Sequence, residues 1–211
     1  PDIPVLSEES DALDFSVRSQ WSRYWLVDPL DGTKEFIQRS GEFTVNIALI
    51  DHHQPVLGVV TVPVKNVAYV GAQNVGAFRI EQDHWQPIRV RKVAGKNLGI
   101  VGSRRHGAER LQPVLEHIER SGFHIDMASM GSSLKFCLIA EGKADCYPRL
   151  GPTSEWDTAA AQAVLVEAGG SVVDTQFVPL QYNRKESLLN PEFFALGDPA
   201  FAWPDYLQVA Q

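Results

Sequence analysis

Short apolar runs separated by turn residues dominate the first half of the chain. Ile3 to Leu6 is one such run, followed by the polar stretch Ser7-Glu8-Glu9-Ser10. Asp11 to Gln20 is mostly polar and reads as a loop or a frayed helix. Tyr24-Trp25-Leu26-Val27 reads as a buried strand. It is expected to stop at Asp28-Pro29, because proline has no N–H for a ladder, and Gly32 then supplies a turn. Thr44 to Ile50 and Pro55 to Val62 read as two strands joined through Asp51-His52-His53-Gln54 into a hairpin with a solvated tip. Val67 to Gly71 and Gly76 to Ile80 read as a further pair, with Ile88 to Arg91 as an edge.

The second half changes rhythm. Leu98 to Gly102, Gly122 to Met127, Ala144 to Leu150, Ser171 to Asp174 and Phe193 to Leu196 read as strands. Between them Leu111 to Arg120, Leu134 to Glu141 and Trp156 to Ala168 have helical periodicity, the last ended by Gly169-Gly170. The pattern predicts an α/β protein in two lobes: an antiparallel-sheet lobe over 1–95 and an α/β lobe over 96–211. They act as one unit, with the site between them.

Composition narrows the classes. The chain has 211 residues, 44% of them hydrophobic, which suits one globular unit. No apolar run approaches the roughly 20 residues of a bilayer span. A net charge of −7 argues against a nucleic-acid surface, because phosphate backbones select for basic patches. A small anionic substrate stays open if bound cations neutralise the site. Cys137 and Cys146 sit in apolar runs and read as reduced core residues, so the cytoplasm is the expected compartment. Peripheral attachment to the cytoplasmic face of the inner membrane stays open. The start, Pro1-Asp2-Ile3-Pro4, enters strand-like sequence without an initiating Met and reads as an internal point of a longer chain.

The chemistry concentrates at Asp28-Pro29-Leu30-Asp31-Gly32-Thr33. A strand delivers Asp28, and Pro29 and Gly32 force a tight turn. Across such a turn two carboxylates, the Leu30 carbonyl and the Thr33 hydroxyl can converge. All are hard oxygen ligands, which suit Mg²⁺ rather than zinc. Glu8 follows another strand and becomes a candidate third carboxylate beside Asp28 and Asp31. Asp157 opens an apolar helix, either as a cap or as a further metal ligand. Gly131-Ser132-Ser133-Leu134-Lys135 opens a helix as an anion pocket or an ordinary cap. Gly102-Ser103-Arg104-Arg105-His106 is a basic loop in an acidic chain, an anion site or a charged loop. Walker, Gly-x-Gly-x-x-Gly, Gly-x-Ser-x-Gly and zinc-spaced Cys/His strings are missing from the sequence.

Asp28 to Thr33 together with Trp156-Asp157-Thr158-Ala159-Ala160 resembles the two signatures of the inositol monophosphatase superfamily. Trp25-Leu26-Val27, Gly41 to Ala48 and Gly131 to Ala140 resemble its bisphosphate-nucleotidase branch. The resemblance implies a layered αβαβα fold whose first helices lie ahead of this start, in a segment that also supplies an acidic partner to the catalytic threonine. It implies that Glu8, Asp28, the Leu30 carbonyl, Asp31 and Asp157 hold two or three Mg²⁺ ions, with Li⁺ as an inhibitor. Thr33 would position and deprotonate the attacking water, with Glu8 and Asp31 sharing the catalytic work. The implied substrate is adenosine 3′,5′-bisphosphate, cleaved to AMP and phosphate, or its sulfated relative. Glu8, Gly32, Thr33, His106, Ser132, Lys135, Arg149 and Asp157 would contact it, Lys135 and Arg149 at the 5′-phosphate and nucleotide end. The alternatives are an inositol or sugar phosphatase, or a non-catalytic metal- and nucleotide-binding fragment.

Overall fold

The computed structural model describes residues 3–11, 13–102 and 108–209. Two sheets account for its strands. The first begins with β1 (Val5–Ser7), which leads into a one-turn helix α1 (Phe15–Arg18) and then β2 (Arg23–Asp31). A short helix α2 (Thr33–Ile37) separates β2 from β3 (Thr44–Asp51) and β4 (Gln54–Val62). β5 (Val67–Ala72), β6 (Gly76–Glu81) and β7 (His84–Ile88) complete it. The seven strands lie side by side in chain order. β1 is parallel to β2, and every other pairing is antiparallel. Alternation sets the inward face: β3 buries Thr44, Asn46, Ala48 and Ile50.

The second sheet uses β8 (Asn97–Gly102), β9 (His124–Ser129), β10 (Cys146–Arg149), β11 (Ser171–Asp174) and β12 (Phe193–Leu196). Its order is β11-β12-β10-β8-β9, parallel at β9-β8-β10 and antiparallel at β10-β12-β11. Helix α3 (Ala108–Arg120) packs on β9, and α6 (Trp203–Tyr206) packs on α3. Helices α4 (Leu134–Ala140) and α5 (Ala159–Glu167) pack on each other between the sheets. The layers therefore run sheet, helix pair, sheet, helix pair. One core fills the space between the sheets around Tyr24, Ile50, Phe136 and Leu165. A second core lies behind the second sheet around Ile100, Ile118, Phe194 and Trp203.

The contact between α5 and the first sheet is unusually close. Gly58 of β4 and Gly71 of β5 are cross-strand partners under the helix. A Cβ built on Gly58 would lie 2.1 Å from the Ala160 carbonyl oxygen, and one on Gly71 2.5 Å from Val164 Cα. Ala159, Ala160, Ala161 and Ala163 complete the small-on-small seam. No other residue type fits at these two strand positions without lifting the helix.

The structure departs from the expected elements at several places besides the unforeseen helix α2. Pro29 does not end its strand. β2 carries on to Asp31 through a bulge between Asp28 and Asp31, opposite Asn46 and Thr44. Beyond Val27 the β1 ladder has ended, so the missing proline N–H leaves no regular ladder bond unmet on that side. The last strand of the sheet is His84–Ile88 rather than 88–91, because Gln82 (φ 50°) and Asp83 (φ 63°) close a two-residue turn that sets its register. Glu155–Asp157 is a 3₁₀ turn, and α5 proper begins at Ala159. At the hairpin tip His52 is solvated, but His53 is docked, its Nδ1 2.9 Å from the Tyr182 carbonyl. Cys137 and Cys146 are buried free thiols.

Gly58→Ala should lower unfolding stability by about 1–3 kcal/mol, the usual scale of overpacking. Urea unfolding would measure it. An unchanged midpoint would show that α5 does not press on the sheet at this point.

Candidate active site

Asp31 is braced by three donors. Its Oδ2 accepts from the Ser133 N–H at 2.5 Å, the Thr44 hydroxyl at 3.2 Å and the Asn46 amide at 3.4 Å. Those donors are themselves linked. The Ser133 hydroxyl donates to Asn46 Oδ1 at 2.8 Å and lies 2.8 Å from the Thr44 hydroxyl. With Oδ2 committed, Oδ1 is the oxygen left to face a ligand. Thr44 and Asn46 reach Asp31 because they occupy inward positions of β3, on the strand paired with β2.

Asp28 is fully buried. Its Oδ1 accepts the Leu30 N–H at 2.9 Å, and its Oδ2 is buried without any hydrogen-bond partner among the described residues. A buried carboxylate oxygen with no donor costs about 1–3 kcal/mol or more unless a cation meets it. Asp157 arrives from the turn that leads into α5. It closes a capping box in which its Oδ2 accepts the Ser154 N–H at 2.8 Å. One oxygen from each of Asp28, Asp31 and Asp157 lies within 4.8 Å of the others.

Crowding and burial show in the acidities. Burial first, then the charges of Asp31, Glu8 and Asp157, push Asp28 up to about 9. Burial and the Asp31 charge push Asp157 up to about 7, with Glu8 adding to the rise. Asp31 is raised too, chiefly by burial, while Lys135 and its three donors act the other way. A site in which three acids resist ionising together is one that a divalent cation would relieve. The all-oxygen donor set and the orphaned Asp28 Oδ2 both fit Mg²⁺.

The other expected residues fall around this cluster. Glu8 is exposed and lies outside the group of three. Its N–H caps the Val27 carbonyl at 3.2 Å, and its charge is felt at Asp28 and Asp157. Leu30 spends its N–H on Asp28. Gly32 adopts φ 89° at the start of α2, and Thr33 is the first, exposed residue of that helix. A cleft opens beside the cluster, lined by Asp31, Gly32, Ser132, Lys135, Arg149 and Asp157. Ser132 has φ 50° and accepts the Leu134 N–H at 3.4 Å. Lys135 is 6% exposed, its Nζ donating to the Ser132 carbonyl at 2.7 Å and the Met130 carbonyl at 3.3 Å. Burial first, and then Arg149, lower its pKa to about 8 against the pull of Asp31, Glu35 and Glu42. Arg149 donates to the Pro152 carbonyl at 2.8 Å. His106, with the basic loop around it, lies outside the described residues.

Residues 1–195 match the profile of the Inositol monophosphatase family. The chain belongs to that family. Among its members, the 3′(2′),5′-bisphosphate nucleotidase CysQ of Escherichia coli is 54% identical over 193 residues, covering 92% of this chain and 75% of that protein. The nucleotidase of the same name from Haemophilus influenzae is 40% identical over 211 residues, covering 99% and 77%. The crystal structure of CysQ from Bacteroides thetaiotaomicron, a bacterial family member, superposes with a TM-score of 0.85 at 41% identity, covering 93% of this chain and 78% of that one. The mixed fold with two sheets is thus the inositol monophosphatase-family fold.

Sequence reasoning left out the residues that hold the site together. The roles of Thr44, Asn46 and Ser133 at Asp31 were one group of these. Asn190 was another: its amide donates to the Ser154 carbonyl at 2.7 Å and to the Thr158 hydroxyl at 3.0 Å, bracing the turn that carries Asp157. The sequence pattern pointed the other way: Val45, Ile47 and Leu49 are the more apolar set of the strand, yet Thr44 and Asn46 are on the buried face.

Without metal, the raised acids make stability pH-dependent. Folded Asp28 and Asp157 keep protons that an aspartate ordinarily releases near 3.8. Their contribution therefore favours the fold below that value and is lost as pH climbs through about 7 and then about 9. The melting temperature in chelator should fall across that window, and Asp28→Asn should flatten the upper part of the fall. Added Mg²⁺ should raise the wild-type curve and leave the variant nearly unmoved. A flat wild-type profile would show that these acids are not crowded.

Proposed function

We propose that this chain is a Mg²⁺-dependent phosphomonoesterase that removes the 3′-phosphate of adenosine 3′,5′-bisphosphate, giving AMP and phosphate. The observation that carries the reading is the convergence of Asp28, Asp31 and Asp157 at the wall of a cleft that also holds Lys135 and Arg149. It is supported by the similarity to proteins named 3′(2′),5′-bisphosphate nucleotidase. No helix of the described residues is long and apolar enough to cross a membrane. The compartment proposed is the cytoplasm, where the free thiols of Cys137 and Cys146 stay reduced.

In this reading Asp28, Asp31 and Asp157, with Glu8 and the Leu30 carbonyl, hold two or three Mg²⁺ ions, and Li⁺ competes for one of their places. When bound, the ions would neutralise the phosphoryl charge and make a water acidic enough to attack, in a reaction that is extremely slow without catalysis. The residues supply the rest. Asp31, its Oδ2 tied to β3 and to the start of α4, keeps one oxygen aimed at the cleft and does not reorganise during the reaction. The Thr33 hydroxyl would orient the attacking water by accepting its hydrogen bond and pass its own proton to the acidic partner that the family supplies to this threonine. Gly32, lacking a side chain, lets the phosphoryl group approach the backbone. Ser132, Lys135 and Arg149 face the nucleotide, Lys135 lending positive potential from beneath the cleft floor, and His106 is a further contact implied by the family resemblance. In this reading Asp28, Asp31, Gly32 and Thr33 come from the 1–95 half and Ser132, Lys135, Arg149 and Asp157 from the 96–211 half, so the site needs both.

Phosphate release in the presence of Mg²⁺ tests this on adenosine 3′,5′-bisphosphate, inositol 1-phosphate and fructose 1,6-bisphosphate. The nucleotide should be turned over fastest. Inositol 1-phosphate turned over equally well would overturn the substrate assignment. Asp31→Asn should lose about a hundredfold or more in kcat together with tight Mg²⁺ binding. Calorimetric titration of Mg²⁺ provides the second readout, and normal binding and activity in that variant would refute the site.

A further inference from the structure

If the nucleotidase reading holds, the substrate brings two phosphates, and this inference rests on that reading. The scissile phosphate sits at the carboxylates, where bound cations balance its charge. The other phosphate is a second dianion and requires a cation away from the metal cluster.

Three cationic side chains line the cleft among the described residues: Lys34, Lys135 and Arg149. Two of them are already engaged. Lys135 is buried, its ammonium holds two backbone carbonyls, and it is surrounded by the charges of Asp31, Glu35 and Glu42. In that reading Arg149 faces the nucleotide, but its guanidinium is already donating to the Pro152 carbonyl at 2.8 Å.

Lys34 differs from both. It is exposed, and its ammonium has no hydrogen bond or ion pair with any described residue. Its backbone is nonetheless fixed. The Gln38 N–H donates to the Lys34 carbonyl at 2.9 Å, and the Phe36 N–H donates to the Gly32 carbonyl at 2.9 Å. The Phe36 ring meets Phe43 edge to face at 5.1 Å, which seats α2 against the start of β3. A free point charge on a fixed stem, three positions beyond Asp31 and lining the same cleft, is suited to a second phosphate held there.

We propose that Lys34 is the specificity-determining residue that holds the non-scissile phosphate. It would thereby separate bisphosphorylated nucleotides from substrates with a single phosphate.

The test compares KM and kcat for adenosine 3′,5′-bisphosphate and adenosine 3′-monophosphate, with Mg²⁺, in the wild type, Lys34→Met and Lys34→Arg. In Lys34→Met the preference for the bisphosphate should fall about tenfold through KM, the size of one charge-assisted contact. Lys34→Arg should restore most of it. If the wild type prefers the bisphosphate and Lys34→Met keeps that preference, the Lys34 assignment falls and the nucleotidase reading stands. A parallel rise in both KM values would likewise overturn the assignment, since it marks a structural role. A wild type without preference overturns the substrate class and the assignment together.

Discussion

The seam between α5 and the first sheet is the contact on which the site depends. Asp157 belongs to the turn that leads into α5, whereas Asp28 and Asp31 belong to β2 in the sheet beneath. Gly58 and Gly71 let the helix backbone settle onto the sheet, and the alanines of α5 keep it there. An apolar packing decision thus sets the spacing of three charged groups elsewhere. That division of labour is physically sensible. Packing is stiff and short-ranged, so it can hold acids at a separation that their own repulsion opposes.

The acids in turn explain why the polar network around them is so complete. Asp31 takes three donors on one oxygen, Asp28 takes Leu30, and Asp157 takes Ser154. These bonds orient each carboxylate and leave the metal-facing side free. Asp28 Oδ2 is the clearest trace of that arrangement, a buried acceptor with no donor among the described residues. In folding terms the cluster is a liability; in binding terms it is stored affinity for a cation.

Much of this could be read from the chain. The apolar run from Thr44 to Ile50 marked β3, though not which face turns inward, and the string from Asp28 to Thr33 named two of the three clustered acids. What could not be read depended on register. Nothing local says that Thr44 and Asn46 will meet Asp31, or that Ser133, far along the chain, will give it an N–H. Helix α2 was missed because five residues after a glycine carry too little periodicity to register. The rule that proline stops a strand failed at Pro29 because it presumes a regular ladder, and the ladder there is irregular. Arg18 shows the same limit. It lies in a polar stretch, yet it is 2% exposed and bonded to Asn183 and the Glu186 carbonyl.

The bulge in β2 is also a matter of parity. Along a regular strand, side chains an even number of residues apart share a face, and those an odd number apart do not. Asp28 and Asp31 are an odd distance apart and should point to opposite sides of the sheet. The extra residue at Pro29-Leu30 shifts the phase by one, so the two acids sit opposite Asn46 and Thr44, which are an even distance apart and both inward. The spacing of the motif is therefore a timing signal: remove one residue between the aspartates and the strand could pair perfectly, with the acids two apart but the loop no longer in step with Ser133 and the cleft. An error in the ladder is what keeps the chemistry in phase.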